Sequence, residues 1–310
     1  MGSAIKEDSD NGLTTLKFDF SLSKGVSRAV PHGDSEAKNS VKTDGKRLSL
    51  RGLLHYLWEQ AEFNKWSPGM VGKRNWFVIR KYLYEAAKLK QAKNISLDSL
   101  LFVPEVFDLD QQQDIAQRRQ LKLNFLNGAN KHQPFMLVIG EVKDIVEARI
   151  GHKMVIKHLP DFPILLNNDM YRRLNKHFVS EIELWSANEQ GHLLAIGTFG
   201  VNASGIAIFQ EMALMVTNEQ WIPYDNADEL NLITTLIQSR RRFIKCLRYN
   251  LPTTIPTVSA LLTEKDNETT GVFIKPSNAT DDFEEAVKVM IEGSRIRARY
   301  WQPELGSMPE

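Results

Sequence analysis

The sequence predicts an α+β protein, with a helix-turn-helix-like module near the N-terminus followed by two ferredoxin-like βαββαβ repeats. Three observations lead there. Apolar residues recur at helical spacing from Leu50 to Ala61 and again from Trp76 to Ala87. Beyond Asn94, strand-like runs and helical stripes follow in the order β-α-β-β-α-β, and that order then recurs. Two pairs of segments echo one another: LLFVPEVFDLDQQ with LMVTNEQWIPYDNADE, and VIKHLPDFP with VFIKPSNAT.

Taken in order, residues 1–46 form an N-terminal segment with one strand, because Leu16, Phe18, Phe20 and Leu22 alternate with polar residues. The Gly-, Ser-, Lys- and Asp-rich stretch from Ser23 to Gly45 reads as a flexible connector. Residues 47–94 form the helical module. Ser49 is the expected cap of its first helix, Ser67-Pro68-Gly69 the break, and the second helix runs from about Asn75 to Leu89.

The first βαββαβ unit, 95–205, comprises strand Leu100 to Phe107, helix Asp110 to Asn127 and strand Phe135 to Ile145. Strand Lys153 to Leu159, helix Asp169 to Ala187 and strand His192 to Val201 complete it. The second unit, 206–304, opens with strand Phe209 to Thr217 and a long helix from Ala227 to Asn250. Strands at Val258 to Thr263 and Gly271 to Lys275 flank an Asp266-Asn267 turn, and helix Asp281 to Glu292 and strand Arg297 to Trp301 follow.

Composition narrows the class of protein. With 310 residues the chain accommodates two or three domains, and 42% hydrophobic with 25% charged residues is ordinary globular content. The lone Cys246 excludes an internal disulfide and, set in an apolar stripe, reads as an inert thiol in a reducing compartment. No apolar run reaches about 18 residues, and the N-terminus lacks a signal-peptide layout, so a cytoplasmic protein with no membrane contact is expected.

Net charge is only +1, but from Lys46 to Lys93 there are 11 Lys and Arg against 3 Asp and Glu, a local excess of +8. That imbalance makes nucleic acid the first candidate partner. Lys65, Lys73, Arg74, Arg80 and Lys81, near Trp58, Trp66 and Trp76, are candidate phosphate contacts. Arg240, Arg241, Arg242 and Lys245, on the expected long helix, form a second basic cluster, with Arg118, Arg119 and Lys122 at the matching place in the first unit. The opposing reading is a solvated face, or a docking face for the acidic remainder of the chain.

An alternative catalytic set is Glu141 and Lys143, two apart on one strand, with Asp108 as an upstream acid, as a magnesium-dependent nuclease would need. The seven histidines lack zinc spacing, and no phosphate-binding loop, dinucleotide fingerprint or nucleophile elbow is present, so no cofactor is expected.

The chain resembles an uncharacterised bacterial family, a domain of unknown function found on plasmids and integrative elements. RLSLRGLLHYLWEQA, GKRNW, GEVKDI, GHKMVIKHLPDFP, TFGVNASG, NEQWIP and RRFIKCLRYNLP carry the resemblance over nearly the whole length. Longer members bear a cysteine-containing segment upstream of GSAIKED, and this sequence reads as a shorter member without it. The resemblance implies a setting on mobile DNA. The leading expectation is therefore a non-enzymatic accessory protein that binds the DNA or RNA backbone. A scaffold for a protein encoded by a neighbouring gene is the second reading, and a metal-dependent nuclease the third.

Overall fold

The computed structural model describes residues 4–8, 12–24, 47–127, 134–149, 151–202, 204–252, 255–263, 269–276, 279 and 281–305. The expected connector beyond residue 24 and the Asp266-Asn267 turn lie outside them. Among the described residues the chain is α+β, with eight α-helices and three mixed sheets.

The N-terminal part contributes β1 (Ile5–Asp8), β2 (Leu13–Leu16), α1 (Leu50–Gln60), β3 (Lys65–Trp66) and α2 (Trp76–Ala87). Then come β4 (Lys90–Ala92), β5 (Ile95–Ser96), α3 (Leu97–Leu100), β6 (Leu101–Phe102) and α4 (Gln112–Leu123). Ser49 caps α1 by accepting from the Gly52 N–H at 3.0 Å, and Asn75 caps α2 by accepting from the Val78 N–H at 3.1 Å. Because α1 is apolar on almost its whole circumference, it sits in the core rather than on the surface: Leu53, Leu54, Leu57 and Trp58 are fully buried. Strands β1, β2, β4 and β5 make a small sheet beside these helices.

The longest apolar runs close on themselves. They are β7 (Met136–Glu147), β8 (His152–Ile156), β9 (Ile164–Leu166), β10 (His192–Val201) and β11 (Ala207–Thr217), with α5 (Asn168–His177) and α6 (Val179–Ser186) between β9 and β10. β7 pairs antiparallel with both β8 and β10, β8 with β9, and β10 with β11, while β9 and β11 meet in parallel at Leu165 and Ile208. The resulting ring, β7-β8-β9-β11-β10-β7 with a helical connection after its third strand, has the order and directions of the five-stranded OB barrel. β6 adds in parallel along the first half of β7.

Alternation along the strands decides which residues fill the ring. Met136, Val138, Phe199, Phe209 and Leu214 belong to the interior cluster, whereas Leu137, Ile139, Leu194, Ile196 and Met215 pack outward against α1, α2 and α3. Two glycines let the walls approach. A Cβ on Gly140 would lie 2.7 Å from Ile156 Cγ2, and one on Gly197 would lie 2.6 Å from the Phe209 ring.

The C-terminal part contributes α7 (Ala227–Gln238), β12 (Phe243–Lys245), β13 (Ala260–Thr263), β14 (Thr269–Ile274), α8 (Asp281–Ile291) and β15 (Ile296–Trp301). Its sheet has the order β15-β14-β13-β12-β3, so the N-terminal β3 completes it through Trp66 opposite Phe243.

The architecture differs from the expected one in three ways. First, α1 and α2 are separated by β3 and a 3-10 turn instead of the short turn of a helix-turn-helix, and α1 is buried in the core. Second, the strands do not form ferredoxin-like sheets. The first pair of echoed segments shares only a strand–loop–helix sequence: β6 is a two-residue edge strand, whereas β11 is an eleven-residue barrel strand paired with β10. Local pattern cannot distinguish these, because pairing partners are chosen by distant residues. Third, the expected helix 227–250 ends at Gln238. Arg240 turns left-handed at φ 54°, and the Arg241 N–H bonds back to the Leu236 carbonyl at 3.0 Å, a Schellman closure that redirects the chain into β12.

Candidate functional site

Glu141 is a carboxylate at the end of an apolar strand run, and the fold surrounds it with basic side chains. It lies on the outward face of β7. The loop after β8 brings Lys157 Nζ to 2.8 Å from Oε1 and His158 Nε2 to 3.7 Å from Oε2, while the start of β10 brings His192 Nδ1 to 2.9 Å from Oε1. Burial would raise the carboxyl's pKa, but the neighbouring His158, His192 and Lys157 side chains outweigh it and hold the group far below the ordinary carboxylate range. Glu141 is therefore an anion at neutral pH, an acceptor and not a proton donor. His158 Nδ1 accepts the Phe107 N–H at 3.3 Å, which directs its Nε2 proton towards Glu141. His192 Nδ1 faces Glu141, which as an anion can only accept, so the pair has the arrangement of a carboxylate–histidine dyad.

Aromatic rings frame this cluster. His192 stacks on Trp221 at 3.7 Å between centroids, His158 stacks on Trp76 at 5.2 Å, and the two tryptophans lie 6.0 Å apart. Trp221 adopts φ 61°, a costly left-handed conformation for a bulky residue. Asn218 holds it there by accepting the N–H groups of Gln220 and Ile222, and the Trp58 indole N–H donates to the Trp221 carbonyl at 3.2 Å. Phe77, 63% exposed, and Val106 form the rim of a cleft of about 490 Å³ above these groups.

One turn along α2 a second cavity opens, about 360 Å³, between α2 and α4. Arg80, Arg118, Arg119 and Lys122 line it, with Tyr84, Phe102 and Ile115 as apolar walls. The segment 102–106 separates it from the aromatic cleft: Phe102 and Glu105 face the basic cavity and Val106 the cleft. Trp76 and Arg80 both anchor to this segment, donating to the carbonyls of Pro104 and Val103.

The residues singled out by sequence fare unequally. Lys73 and Lys81 are exposed, Lys81 lying over the Tyr82 ring, and Arg240 and Arg242 are exposed at the end of α7. Lys65 is half-buried and paired with Glu62 at 2.6 Å. Pairing of β3 with β12 brings Lys65 opposite Ile244, so one residue of each basic cluster, Lys65 and Lys245, lies in the same sheet. Arg241 is half-buried and has a partner within the chain.

Two cations are not available to phosphates. Arg74 points inward and donates to the carbonyls of Phe63, Gln220, Glu62 and Lys65; burial pulls its pKa down to about 10, which leaves it charged. Lys245, expected on an exposed helix face, is 2% exposed and bonds Glu229, itself 2% exposed, at 2.9 Å. Cys246 beside it is equally inert, its thiol pushed up to about 11 by burial.

The nuclease set does not assemble. A bulge at Lys143 shifts the register of β7 between Val142 and Asp144, and Lys143 is exposed to solvent while Lys157 takes its place on Glu141. Asp108 uses its two oxygens on the Asp110 N–H and the Gln111 side chain. Among the described residues no group of three or more His, Cys, Asp or Glu is placed to hold a metal ion. Sequence reading missed Lys157, His158, His192, Phe77 and Trp221. The one available signal was the lone carboxylate ending the apolar run Phe135 to Gly140.

Fold and site together define an α+β protein built round an OB-order barrel, with an aromatic cleft at the seam between barrel and helices. The chain belongs to the family described as Protein of unknown function (DUF1173), whose pattern matches residues 1–304. No curated protein and no solved structure matches it. No helix among the described residues is long and apolar enough to cross a membrane.

Proposed function

We propose that this protein binds single-stranded nucleic acid, as an accessory protein of a bacterial mobile element, with bases entering the cleft at Phe77, Trp76 and Trp221. One juxtaposition carries the reading: an exposed ring above stacked aromatic groups, one helical turn from a cation-lined cavity, on a barrel of OB order. Single-strand binders combine a basic track with rings on which bases stack. The outward positions of β8, Lys153 and Val155, and Leu165 of β9 carry no ring, which moves stacking from the usual barrel face to the cleft. Lys73, Lys81, Arg80, Arg240 and Arg242 supply phosphate contacts; Arg74 and Lys245 do not.

The test is fluorescence anisotropy with labelled single- and double-stranded DNA and RNA across a salt series. The reading expects binding that prefers single strands and weakens steeply with salt. Phe77→Ala is expected to remove about 1–3 kcal/mol of affinity while leaving the melting temperature unchanged. Absence of binding at low salt overturns the proposal.

A second reading, docking of a protein partner, is favoured by the apolar exposure around α4, where Leu109 is 75% and Leu121 71% exposed. Co-purification that is lost in Leu121→Lys while nucleic-acid binding is unchanged supports it.

A further inference from the structure

We propose that the cavity between α2 and α4 is a binding site for a phosphate monoester, and that it recognises the phosphorylated end of a strand whose bases occupy the adjoining cleft. The second clause rests on the single-strand reading; the first does not.

Two of the cavity's cations are paired with carboxylates, and the other two are held mainly by backbone carbonyls. Arg118 is held by Glu105, with contacts at 3.0 and 2.8 Å, and Arg119 by Asp161 at 2.9 and 2.7 Å. Arg80 is anchored by the Val103 carbonyl at 3.1 Å and lies only distantly from Glu105, at 3.9 Å. Lys122 donates to the Asp98 carbonyl at 3.0 Å and lies over the Tyr84 ring. Asp98 and Asp114 act on Lys122 and Arg118 through space without an ion pair. Four cations thus meet two ion-paired carboxylates, with Asp98 and Asp114 further off, on a partly desolvated wall of Tyr84, Phe102 and Ile115.

Like charges gathered in such a place repel one another and are disfavoured unless an anion joins them. Burial pulls the Lys122 ammonium below its ordinary pKa, Asp98 opposes this, and the neighbouring Arg80 adds to it. A phosphate monoester carries about −1.5 to −2 near neutral pH and three acceptor oxygens for the four converging cations; a diester linkage carries a single charge. Guanidinium groups already oriented by carboxylates lose little freedom on receiving it.

The experiment uses the full chain and two oligonucleotides of one sequence, 5′-phosphorylated and 5′-hydroxyl, with inorganic phosphate titrated by calorimetry alongside. The expected result is a preference for the phosphorylated end of about tenfold or more, as one charge-assisted contact set allows. Lys122→Ala and Arg118→Gln abolish the preference while leaving the melting temperature unchanged; Arg118 is exposed, so its variant keeps the fold. Equal affinity for both ends, together with no Lys122-dependent binding of inorganic phosphate, overturns the site. Lys122-dependent binding of inorganic phosphate or a mononucleotide, with neither strand bound, upholds the monoester site and removes the single-strand reading instead.

Discussion

Lys245 gives the sharpest test of how this chain uses its basic residues. Its ammonium and the Glu229 carboxylate are each 2% exposed and 2.9 Å apart, and the same Nζ donates to the Cys246 carbonyl at 2.8 Å. The backbone around it is tied to the N-terminal part, since the Lys245 N–H donates to the Asn64 carbonyl and the Asn64 amide to the Lys245 carbonyl. Removing one member of such a pair leaves a buried, unmatched charge, a loss of about 3–5 kcal/mol. At about 2–4 °C per kcal/mol for a chain of this size class, Lys245→Met should melt about 6–20 °C lower. Glu229→Gln should fall in the same range, and the double variant Lys245→Met with Glu229→Leu should recover most of the loss, because the charge has then gone from both sides. Differential scanning calorimetry and guanidinium unfolding measure this directly. A Lys245→Met protein with native stability but weakened, less salt-dependent nucleic-acid binding would show that the side chain serves phosphates and that the burial reasoning is wrong.

Three further outcomes follow from the barrel and its polar contacts. Gly140→Ala forces a Cβ to 2.7 Å from Ile156 Cγ2, so a loss of about 1–3 kcal/mol is expected in denaturant unfolding. Glu141→Gln should cost about 1.5–3 kcal/mol through its charge-assisted hydrogen bonds, whereas Lys143→Ala on the exposed bulge should stay within about 0.5 kcal/mol. Because Glu141's pKa is depressed in the fold, its stabilisation is present above the unfolded value of 4.5 and is lost as pH falls below it, a slope that Glu141→Gln should flatten. His55 acts in the neighbouring window. Burial, with Arg51 adding to it, lowers its pKa from 6.5 to about 3, and its Nδ1 accepts the Tyr249 N–H at 2.9 Å. The unfolded chain takes up this proton below pH 6.5 and the folded one does not, so stability should drop as pH falls from 6.5 towards 3, by up to about 1.4 kcal/mol per unit. His55→Asn should remove that slope in unfolding measured at pH 7.5, 6 and 5.

Much of the fold was legible because periodicity and capping are local. His192 to Val201 is a strand with the expected bounds, Ser49 caps α1, and α8 falls within a residue of its expected end. A basic stretch beside three tryptophans was equally plain in composition. What the one-dimensional pattern could not supply was the partner of each strand. β7 is a single strand to the eye, yet one half pairs with β10 and the other with β8, and only that division closes a barrel.

The same limit governs the site. Sequence by itself determined which residue types were present and which local face each occupied: a carboxylate ending an apolar strand, cations at helical spacing, rings near a chain break. Tertiary structure alone decided which charges met. Lys157, His158 and His192 converge on Glu141 from 16 to 51 residues away, and Lys245 finds Glu229 across a turn that ends a helix early. The physical reason is that charge pairing is settled by closeness in space and by the exclusion of water, neither of which is written into spacing along the chain.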